Sequence, residues 1–385
     1  MSTKRKDQNG IIEASNTINN FLNLFHSKGT KYTYKSHLKR FFNFLNVDPD
    51  KYFDNGRNYK KDVLNFYNTL TNDTPHSQDG AMACIKVFLM ENDIEFKQKF
   101  WRNIRRRRNG KGSVTVDKIP TQSELKQILN HGELKAKALF LTMASSGMRI
   151  GEIVKLTKDD IDLTTTPATI HIPYNITKNG MKRTTFMSNE SRDAIKQWLK
   201  PVENIDDNGN KHKESPRDYY IKCAIAKCNI PSRKPVNDDR IFPFSSVNAR
   251  RIWNRLLKQS GFNTVDKRSG YHNLHPHCLR KFFRSQLSTE IKVDVIEALL
   301  GHEGYLTAEY RKVSDNVLGE EYEKGINNLL IFETPSDTTA IIKKQQLEIE
   351  DLKDKVETLM KHYKEIVGNG NSTPTTTFFL SLSLF

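Results

Sequence analysis

A dense run of positive charge, WRNIRRRRNGKGSVTVDK from Trp101 to Lys118, limits what this chain can fold into. Arginine and lysine side chains are almost never fully buried, so such a run cannot cross a hydrophobic core. A basic segment that ends in glycines, between two regions of amphipathic pattern, is typical of an interdomain linker. We therefore expect two folded domains joined by residues 101–118, with the linker lying along a polyanion. The basic residues that crowd this linker ahead of its glycine-rich end are Arg102, Arg105, Arg106, Arg107, Arg108 and Lys111.

The charge of the whole chain favours the same kind of partner. Its 385 residues contain 61 lysines and arginines against 45 aspartates and glutamates, a formal net charge of +16. Such an excess indicates a polyanion, nucleic acid first. No run of about twenty apolar residues exists, and the first residues, MSTKRKDQNG, lack the apolar core of a secretory signal. We expect a cytoplasmic, DNA-associated protein that does not enter membranes.

The cysteines predict neither a disulfide framework nor a metal centre. Cys84, Cys223, Cys228 and Cys278 are scattered through the chain without CxxC spacing. Cys223 and Cys228 could supply ligands together with His212, but their spacing matches no defensible zinc pattern. We expect reduced thiols, no bound metal and no cofactor.

Residues 11–100 carry the pattern of a small helical bundle. Four amphipathic stripes follow one another with turn signals between them. Lys35, Lys39 and Arg40 lie beside the second stripe, and half or more of the contacts that proteins make to DNA go to its backbone. We expect these three side chains to face phosphates, although a solvated helix face has the same pattern. Residues 1–10 are expected to be disordered.

Residues 119–335 predict a second domain that mixes helices with a small antiparallel sheet. A helix ends at a Ser-Ser-Gly sequence, and the next begins MRIGEI, so Arg149 falls at a helix start. From residue 168 to residue 187 the pattern alternates on both sides of an Asn-Gly turn, which predicts a β-hairpin with Lys178 beside its tip. The polar residues 202–215 predict a mobile loop.

The stretch from His275 to Tyr310 brings together the residue types that phosphate chemistry needs. His277 and Arg280 lie one helical turn apart, so they share a face that can bind an anion. His302 follows a glycine after the next helix, and Tyr310 comes last. A histidine and an arginine one turn apart occur by chance in many helices, so the order of the whole series is what gives this pattern weight.

These residue types suit a phosphodiester cleavage that stores the bond energy in the protein. A tyrosine hydroxyl can form a covalent link to phosphorus, provided that its proton is lost during the attack. Negative charge that grows on the phosphate oxygens is best met by the planar guanidinium groups of Arg149 and Arg280. Lys178 can protonate the departing 5′-oxygen. No Walker loop appears, so no nucleotide is expected.

In this order the sequence resembles the tyrosine recombinases, the phage integrase family. The matching segments are SSGMRIGEI, TKNGMKRTTF, HCLRKFF and LLGHEGYLTAEY. The ending around the tyrosine and the later Glu320-Glu321-Tyr322 are similar to an archaeal or archaeal-virus branch, and Tyr305 and Tyr322 are alternative nucleophiles. The resemblance implies that Arg149 and Arg280 bind the phosphate, that Lys178 is the hairpin lysine and that Tyr310 is the nucleophile. It also implies that His277 and His302 are the two histidines of the site and that Glu152 is a supporting acidic residue.

The resemblance also implies a fold and an activity. The fold would be an all-α core-binding domain of four helices, followed by a mainly helical α+β catalytic domain. The activity would be site-specific recombination of double-stranded attachment sites through a 3′-phosphotyrosyl link, in a tetramer, without metal or ATP, for a mobile element. Two alternatives stay open: a type IB topoisomerase-like enzyme, and a DNA-binding protein without catalysis.

The C-terminal region predicts a coiled coil. Apolar residues recur in steps of three and four over residues 338–367, with branched residues in one series and leucine in the other. This pattern favours a parallel pair of helices, and hence a second chain as partner. The alternative is a single helix packed on its own domain, because the seam is short. Residues 368–385 are expected to form a disordered tail.

Overall fold

The computed structural model describes residues 10–54, 56–108, 117–205, 211–227, 238–266, 270, 272–302, 314–332 and 348–360. The chain forms two compact units. Unit 1 comprises Met1–Val116 and Asp266–Tyr271, and unit 2 comprises Asp117–Val265 and His272–Phe385. Among the described helices, none combines the length and apolar character that crossing a bilayer requires. Several predicted features lie outside the described residues: Tyr305, Tyr310, Lys111, Cys228, residues 1–9, most of the predicted coiled coil and the tail.

Unit 1 is helical, and polar residues begin most of its helices. Ser15, Ser27, Asn58 and Thr74 each accept a hydrogen bond from a backbone N–H in the first turn of the helix that follows. Such N-caps satisfy donors that the helix itself leaves without a partner. A short helical segment at residues 10–14 precedes them. The helices are α1 (Asn16–Asn23), α2 (Lys28–Leu45), α3 (Tyr59–Asn68), α4 (Pro75–Met90) and α5 (Gln98–Arg106).

Aromatic side chains form much of the core of unit 1. Phe41, Phe42, Phe66 and Phe88 are almost completely buried. Phe41 meets Phe66 edge to face, with 5.2 Å between ring centroids and 79° between ring planes. Edge-to-face contacts place the positive ring edge on the negative ring face, which adds to the free energy gained by burial. The amphipathic stripes of residues 11–92 therefore bury one face of each helix, as their spacing predicts.

The linker predicted for residues 101–118 is wrong over its first part. Residues up to Arg106 belong to α5, and Trp101 and Ile104 are buried on one face of that helix. Two apolar residues three positions apart are sufficient to attach the helix to unit 1, while its arginines, Arg102, Arg105 and Arg106, extend into solvent. Residues 109–116 lie outside the described residues.

Unit 2 combines helices with short antiparallel strands. A capping box begins its first helix, since Thr121 and Glu124 exchange two hydrogen bonds between side chain and backbone. The helices are α6 (Gln122–Asn130), α7 (Leu134–Ser146), α8 (Ile150–Ile153), α9 (Asn189–Leu199), α10 (Pro216–Ala226), α11 (Ser246–Gln259), α12 (His277–Leu287), α13 (Val293–Leu300) and α14 (Asp315–Gly325). The strands are β1 (Ile161–Asp162), β2 (Ala168–Ile172), β3 (Arg183–Met187), β4 (Val202–Ile205) and β5 (Lys211–Glu214).

The antiparallel pairing predicted for residues 168–187 is confirmed. Strands β1, β2 and β3 form one sheet in that order, and Ile172 of β2 is the register partner of Arg183 at the start of β3. Residues 173–182 connect the two strands, so the connection is longer than the tight turn that the Asn-Gly pair predicts. Lys178 is exposed on this connection.

The mobile loop predicted for residues 202–215 is wrong in its described part. Strands β4 and β5 pair antiparallel, with Val202 opposite Glu214. The ribbon carries many polar residues, and even Val202 is 44% exposed. The described side chains of this ribbon are mostly polar and exposed, so little apolar alternation marks the pairing in the sequence.

Helix α7 runs through the core of unit 2 and leads to the site. It packs against α9 and α12, and nearly every residue in it from Ala136 to Ser146 is buried. Phe140 meets Trp253 of α11 edge to face at 4.8 Å. The helix ends at Gly147, which has a left-handed φ of 65° and turns the chain toward Arg149.

Candidate active site

A buried carboxylate, Glu152, holds two arginines at the start of α8. Arg149 precedes the helix, and its Nη1 donates to Glu152 Oε1 at 3.0 Å while its backbone N–H donates to Oε2 at 3.1 Å. Arg183 of β3 donates to both carboxylate oxygens, at 3.3 and 2.6 Å. The side chain of Arg183 is 5% exposed and that of Arg149 is 28% exposed. Arg149 can therefore reach an anion from solvent, whereas Arg183 acts through Glu152.

The same contacts keep Glu152 ionised. Burial by itself raises the pKa of this carboxyl, but the hydrogen bond and charge of Arg183, with those of Arg149, outweigh it, so the net pKa is lowered. Two guanidinium groups share this single carboxylate. The cluster therefore keeps a net positive charge, which suits a phosphate.

Arg280 of α12 lies where two other helices end. Its Nη1 donates to the carbonyl of Gly147 at 2.6 Å, and its Nη2 donates to the carbonyl of Leu300 at 2.6 Å. Gly147 is the C-cap of α7 and Leu300 is the last residue of α13. The last carbonyls of a helix lack partners within the helix and carry the negative end of its dipole. Both helix ends therefore stabilise the buried guanidinium.

Arg280 remains a cation despite its burial. Burial lowers its pKa to about 9, helped by the nearby charges of Arg149 and Arg183. At neutral pH the guanidinium is still protonated, and the repulsion shows that the three arginines lie near one another. A bound phosphate would relieve this repulsion, so the cluster favours an anion.

Glycine is required at both chain turns that border Arg280. Gly147 and Gly301 have φ values of 65° and 70°. A Cβ on Gly147 would lie 2.6 Å from Cδ1 of Phe283, and one on Gly301 would lie 2.6 Å from Cδ of Arg183. Both turns combine a left-handed backbone with a close approach, which only glycine tolerates.

Replacing Gly147 with alanine is expected to lower the free energy of unfolding of unit 2 by roughly 2–4 kcal/mol, through overpacking and left-handed strain together. Urea unfolding followed by circular dichroism measures this. Gly151→Ala is the matched control, because Gly151 has open space where the Cβ would go. Since alanine favours helices, this control should be neutral or slightly stabilising. Equal losses in the two variants would contradict the steric argument.

His302 is held between Arg280 and Glu297. Its Nε2 lies 2.9 Å from Arg280 Nη2, and its Nδ1 is hydrogen-bonded to Glu297. A guanidinium only donates, so Nε2 must accept, and the proton of the neutral ring lies on Nδ1. Glu297 also accepts from Arg284 Nε at 2.5 Å. Burial raises the pKa of Glu297, but its bonds to Arg284 and His302 outweigh this and lower it overall.

His277 begins α12 and stacks on its neighbour His275. The two rings lie 6.3 Å apart with 7° between their planes. His277 is accessible to solvent, yet the protein atoms around its ring and then the charge of Arg280 lower its pKa. A lowered pKa keeps the ring neutral near pH 7, so His277 can accept a proton. On the other side, His275 Nε2 contacts Asp117 Oδ1 at 3.1 Å.

The structure thus brings Arg149, Glu152, His277, Arg280 and His302 into one region of unit 2. Lys178 is on the exposed connection between β2 and β3, and the predicted nucleophile Tyr310 lies outside the described residues.

The alternative nucleophile Tyr322 is wrong. Its side chain is completely buried in the core of unit 2, and its hydroxyl donates to the carbonyl of Ser145 at 2.7 Å. Burial also raises its pKa well above the usual value. A hydroxyl with these surroundings cannot reach a phosphate, so Tyr322 is a core residue.

The predicted DNA-contacting residues of unit 1 differ in their surroundings. Carboxylates engage some of them: Lys39 contacts Glu13 at 3.2 Å, and Arg40 contacts Asp73 at 2.7 Å. Lys35 is partly exposed. Arg108 pairs with Asp79, and Arg107 is the C-cap that follows α5. Arg102, Arg105 and Arg106 of α5 are exposed and, together with Lys86 and Trp101, line a cleft of about 610 Å³.

Sequence reasoning missed Arg183 and Glu297. Arg183 lies within the recognised segment TKNGMKRTTF, but a basic residue at the start of a strand predicts exposure, so nothing signals its burial against Glu152. Glu297 lies five residues before His302 on a helix that is otherwise mostly apolar, and an acidic residue there predicts only an exposed side chain. Each acts through a partner that only the folded chain reveals.

Comparison with known proteins identifies the family. Residues 118–316, more than half of the chain, match the phage integrase family. Tyrosine recombinase XerC of Staphylococcus carnosus (strain TM300) is 23% identical over 197 residues, which are 50% of this chain and 54% of the relative. Tyrosine recombinase XerC of Halalkalibacterium halodurans is 25% identical over 218 residues, 54% of this chain and 62% of the relative. The chain thus spans a little over half the length of these curated relatives.

A solved structure agrees in fold. The integrase of the Tn1549 transposon, in complex with a circular intermediate DNA, aligns with a TM-score of 0.50 at 15% identity, covering 81% of this chain and 98% of that chain. The small antiparallel sheet of unit 2 and its arginine cluster lie within the residues that match the family. The chain belongs to the phage integrase family.

Proposed function

We propose that this chain is a site-specific DNA recombinase that cleaves and rejoins strands through a 3′-phosphotyrosyl link on Tyr310, without metal or ATP in the reaction. One observation carries the proposal: Arg149, Arg280 and His302 are held near one another by buried or charged partners at the glycine turns of unit 2. Membership of the phage integrase family supports it, as do XerC relatives named tyrosine recombinases and a neighbour bound to DNA.

The arginines would bind the scissile phosphate and stabilise the transition state. Attack on phosphorus places additional negative charge on the non-bridging oxygens. Arg149 and Arg280 meet that charge with donors already held in place, by Glu152 and by two helix ends respectively. Because these partners are fixed before DNA binds, little reorganisation is needed during the reaction.

His277 and Lys178 would move protons, whereas His302 would not. Both ring nitrogens of His302 are hydrogen-bonded, to Arg280 and to Glu297, so His302 would orient the arginine. His277 is accessible and its pKa is lowered, so we assign it as the acceptor of the tyrosine proton. Lys178 is exposed on the connection between two strands and would protonate the 5′-oxygen that leaves.

Covalent trapping tests the proposal. The chain is incubated in EDTA with nicked DNA that bears its candidate attachment site, and denaturant-resistant adducts are mapped by peptide mass. The nick lets the product strand diffuse away, so the adduct accumulates. We expect an adduct on Tyr310 that Tyr310→Phe abolishes, since phenylalanine offers no oxygen to phosphorus. Tyr305→Phe is the matched control and should retain it.

An adduct on Tyr305, or an adduct unaffected by Tyr310→Phe, would contradict the assignment of the nucleophile. If a chain that binds the site tightly gives no adduct in EDTA, the proposed chemistry is wrong and the chain is better described as a DNA-binding protein. Relaxation of supercoiled DNA without any preferred site would instead favour the topoisomerase alternative.

We propose that α5 binds the DNA backbone. Its exposed Arg102, Arg105 and Arg106 lie along one cleft, whereas Lys39 and Arg40 already contact carboxylates. Replacing the three arginines with glutamine should reduce the slope of log affinity against log salt by about 2–3, because each lost phosphate contact removes about 0.9. Fluorescence anisotropy over a salt series measures it.

A variant with the same net charge is the control for this experiment. Lys28, Lys51 and Lys61 are exposed on other elements of unit 1. Their joint replacement with glutamine should leave most of the salt slope. If both triple variants lose the same slope, binding depends on net charge alone and α5 has no special part.

We also propose that the helical bundle of unit 1, which ends with α5, is the clamp domain and that residues 119–335 are the catalytic domain. The chain would assemble as a tetramer on two DNA sites. Residues 348–360 support self-association, because they form a helix with exposed apolar side chains. Ile349, Leu352, Val356 and Leu359 recur in steps of three and four and are 53–69% exposed. Such a stripe would fit a second copy of the chain, and we propose that this copy is the partner in a coiled coil over residues 338–367.

A further inference from the structure

Three potential metal ligands meet beside the first turn of α12. Asp117, His275 and Cys278 each offer one ligand atom, and these atoms all lie within 4.8 Å of one another. We propose that these three residues bind a zinc-class divalent cation and leave its fourth coordination position open to solvent. The proposed strand cleavage uses none of the three side chains, so this site stands independently of that function.

The distances suit a tetrahedral ion. Zinc binds nitrogen and oxygen at roughly 2.0–2.2 Å and sulfur at roughly 2.3 Å, which places neighbouring ligand atoms about 3.3–3.6 Å apart. Asp117 Oδ1 and His275 Nε2 are 3.1 Å apart, so this pair needs almost no movement. The sulfur of Cys278 lies within 4.8 Å of the other ligand atoms, so it needs to approach them by at most about 1.2 Å, which a change of its side-chain torsion can supply.

The set of donor atoms selects the class of metal. Magnesium and calcium prefer oxygen ligands alone, whereas a thiolate with an imidazole favours zinc, cobalt and their neighbours. Three protein ligands with an open fourth position are also the usual arrangement of a zinc that keeps a water or another exchangeable ligand. The fourth ligand is therefore expected to be water.

Neighbouring groups support each ligand. Lys281 Nζ lies 2.5 Å from Asp117 Oδ2, so the other oxygen of this carboxylate can face the metal. The backbone N–H of His275 donates to Cys278 Sγ at 3.5 Å, which stabilises a thiolate. The thiol itself donates to the carbonyl of Asn273, but that carbonyl also accepts the amide of Lys118 and keeps a partner after deprotonation. Outer contacts of this kind orient metal ligands.

The exposure of the three ligand side chains indicates from which side an ion would enter. Cys278 is fully buried, the side chain of Asp117 is 14% exposed and that of His275 is 34% exposed. An ion would thus arrive on the histidine side and meet the thiol last.

Metal binding would tie the beginning of unit 2 to α12. Asp117 is its first residue, whereas His275 and Cys278 flank the candidate base His277. The ion would replace the contact between Asp117 and His275 with two metal bonds, and it would fix the ring on which His277 stacks.

Cobalt spectroscopy on the full chain, without an affinity tag, tests this site. Co²⁺ is added to metal-free protein at neutral pH, and the ultraviolet charge-transfer band of a cobalt thiolate is recorded. We expect one equivalent of Co²⁺ to give the band, and Zn²⁺ to displace it. Cys278→Ser should abolish the band, whereas Cys223→Ser, which also removes one thiol from unit 2, should leave it unchanged.

A second variant protects the test against misfolding. If Cys278→Ser fails to fold by circular dichroism, His275→Gln at the accessible side of the site should weaken Co²⁺ binding at least tenfold. No thiolate band at stoichiometric Co²⁺, or a band that survives both substitutions, would overturn the proposal. Because strand cleavage is assayed in EDTA, failure of the metal site and failure of the recombinase chemistry give different results.

Discussion

Replacing Arg280 with lysine is expected to slow formation of the covalent adduct by roughly 10²–10³-fold, the loss typical of removing one preorganised donor from a developing anion. Lysine keeps the charge but not the planar fork, so it cannot bond the carbonyls of Gly147 and Leu300 together and also face a phosphate. The expected loss of cleavage rate is therefore due to the changed geometry of the donors and not to a change in charge. Single-turnover cleavage of nicked DNA, at saturating protein, measures the rate.

The control is Arg251→Lys, the same exchange at an exposed arginine of α11. It should cleave at the rate of the unchanged chain. DNA affinity of the Arg280→Lys chain should fall much less than its cleavage rate, because the rest of the basic surface remains. A cleavage rate within threefold of the unchanged chain would show that charge alone suffices at this position.

Replacing Glu152 with glutamine is expected to lower the free energy of unfolding of unit 2 by about 3–5 kcal/mol, the usual effect of removing one partner from a buried ion pair. Arg183 would stay buried without its carboxylate, and Arg149 would lose the bond that fixes its direction. Urea unfolding measures the change. Glu133→Gln is the control, since Glu133 is 70% exposed beside Lys135 and its loss should cost at most about 0.5 kcal/mol.

The pH dependence provides a second measurement on the same variant. The pKa of Glu152 is lowered in the folded chain, so its stabilising effect is fully present above the unfolded value of about 4.3 and is lost as pH falls through the folded value. The difference in stability between the unchanged chain and Glu152→Gln should therefore shrink in acid below about pH 4. A constant difference down to pH 2 would contradict ionised Glu152 as its origin.

The sequence predicted the parts of the site that lie in short local patterns. Arg149 at a helix start and the pair His277 and Arg280 one turn apart are visible in a few neighbouring residues, and the structure places them together. Helix ends were similarly visible, because caps such as Thr121 and turns such as Gly147 have local causes.

Contacts between distant residues left no such pattern. Arg183 meets Glu152 across 31 positions and Lys281 meets Asp117 across 164, and neither pair has a local signature. Helix α5 was not predicted from the basic run that starts at Trp101. The two buried side chains that attach it to unit 1 are fewer than its arginines, so the apolar pattern is weak.

The position of Arg280 links phosphate binding to the stability of the fold. Its guanidinium closes the carbonyl ends of α7 and α13, so the same group that would bind a phosphate also completes the folding of unit 2. A substitution of Arg280 in a catalytically inactive variant would leave the carbonyls at two helix ends without this donor. The amount of folded chain should then decrease. Screening a variant library for soluble expression alone should consequently enrich chains that keep Arg280, with no selection for recombination. A library that varies the surface of α5 to change the DNA target can therefore be screened first for soluble expression, since this screen removes chains that have lost Arg280.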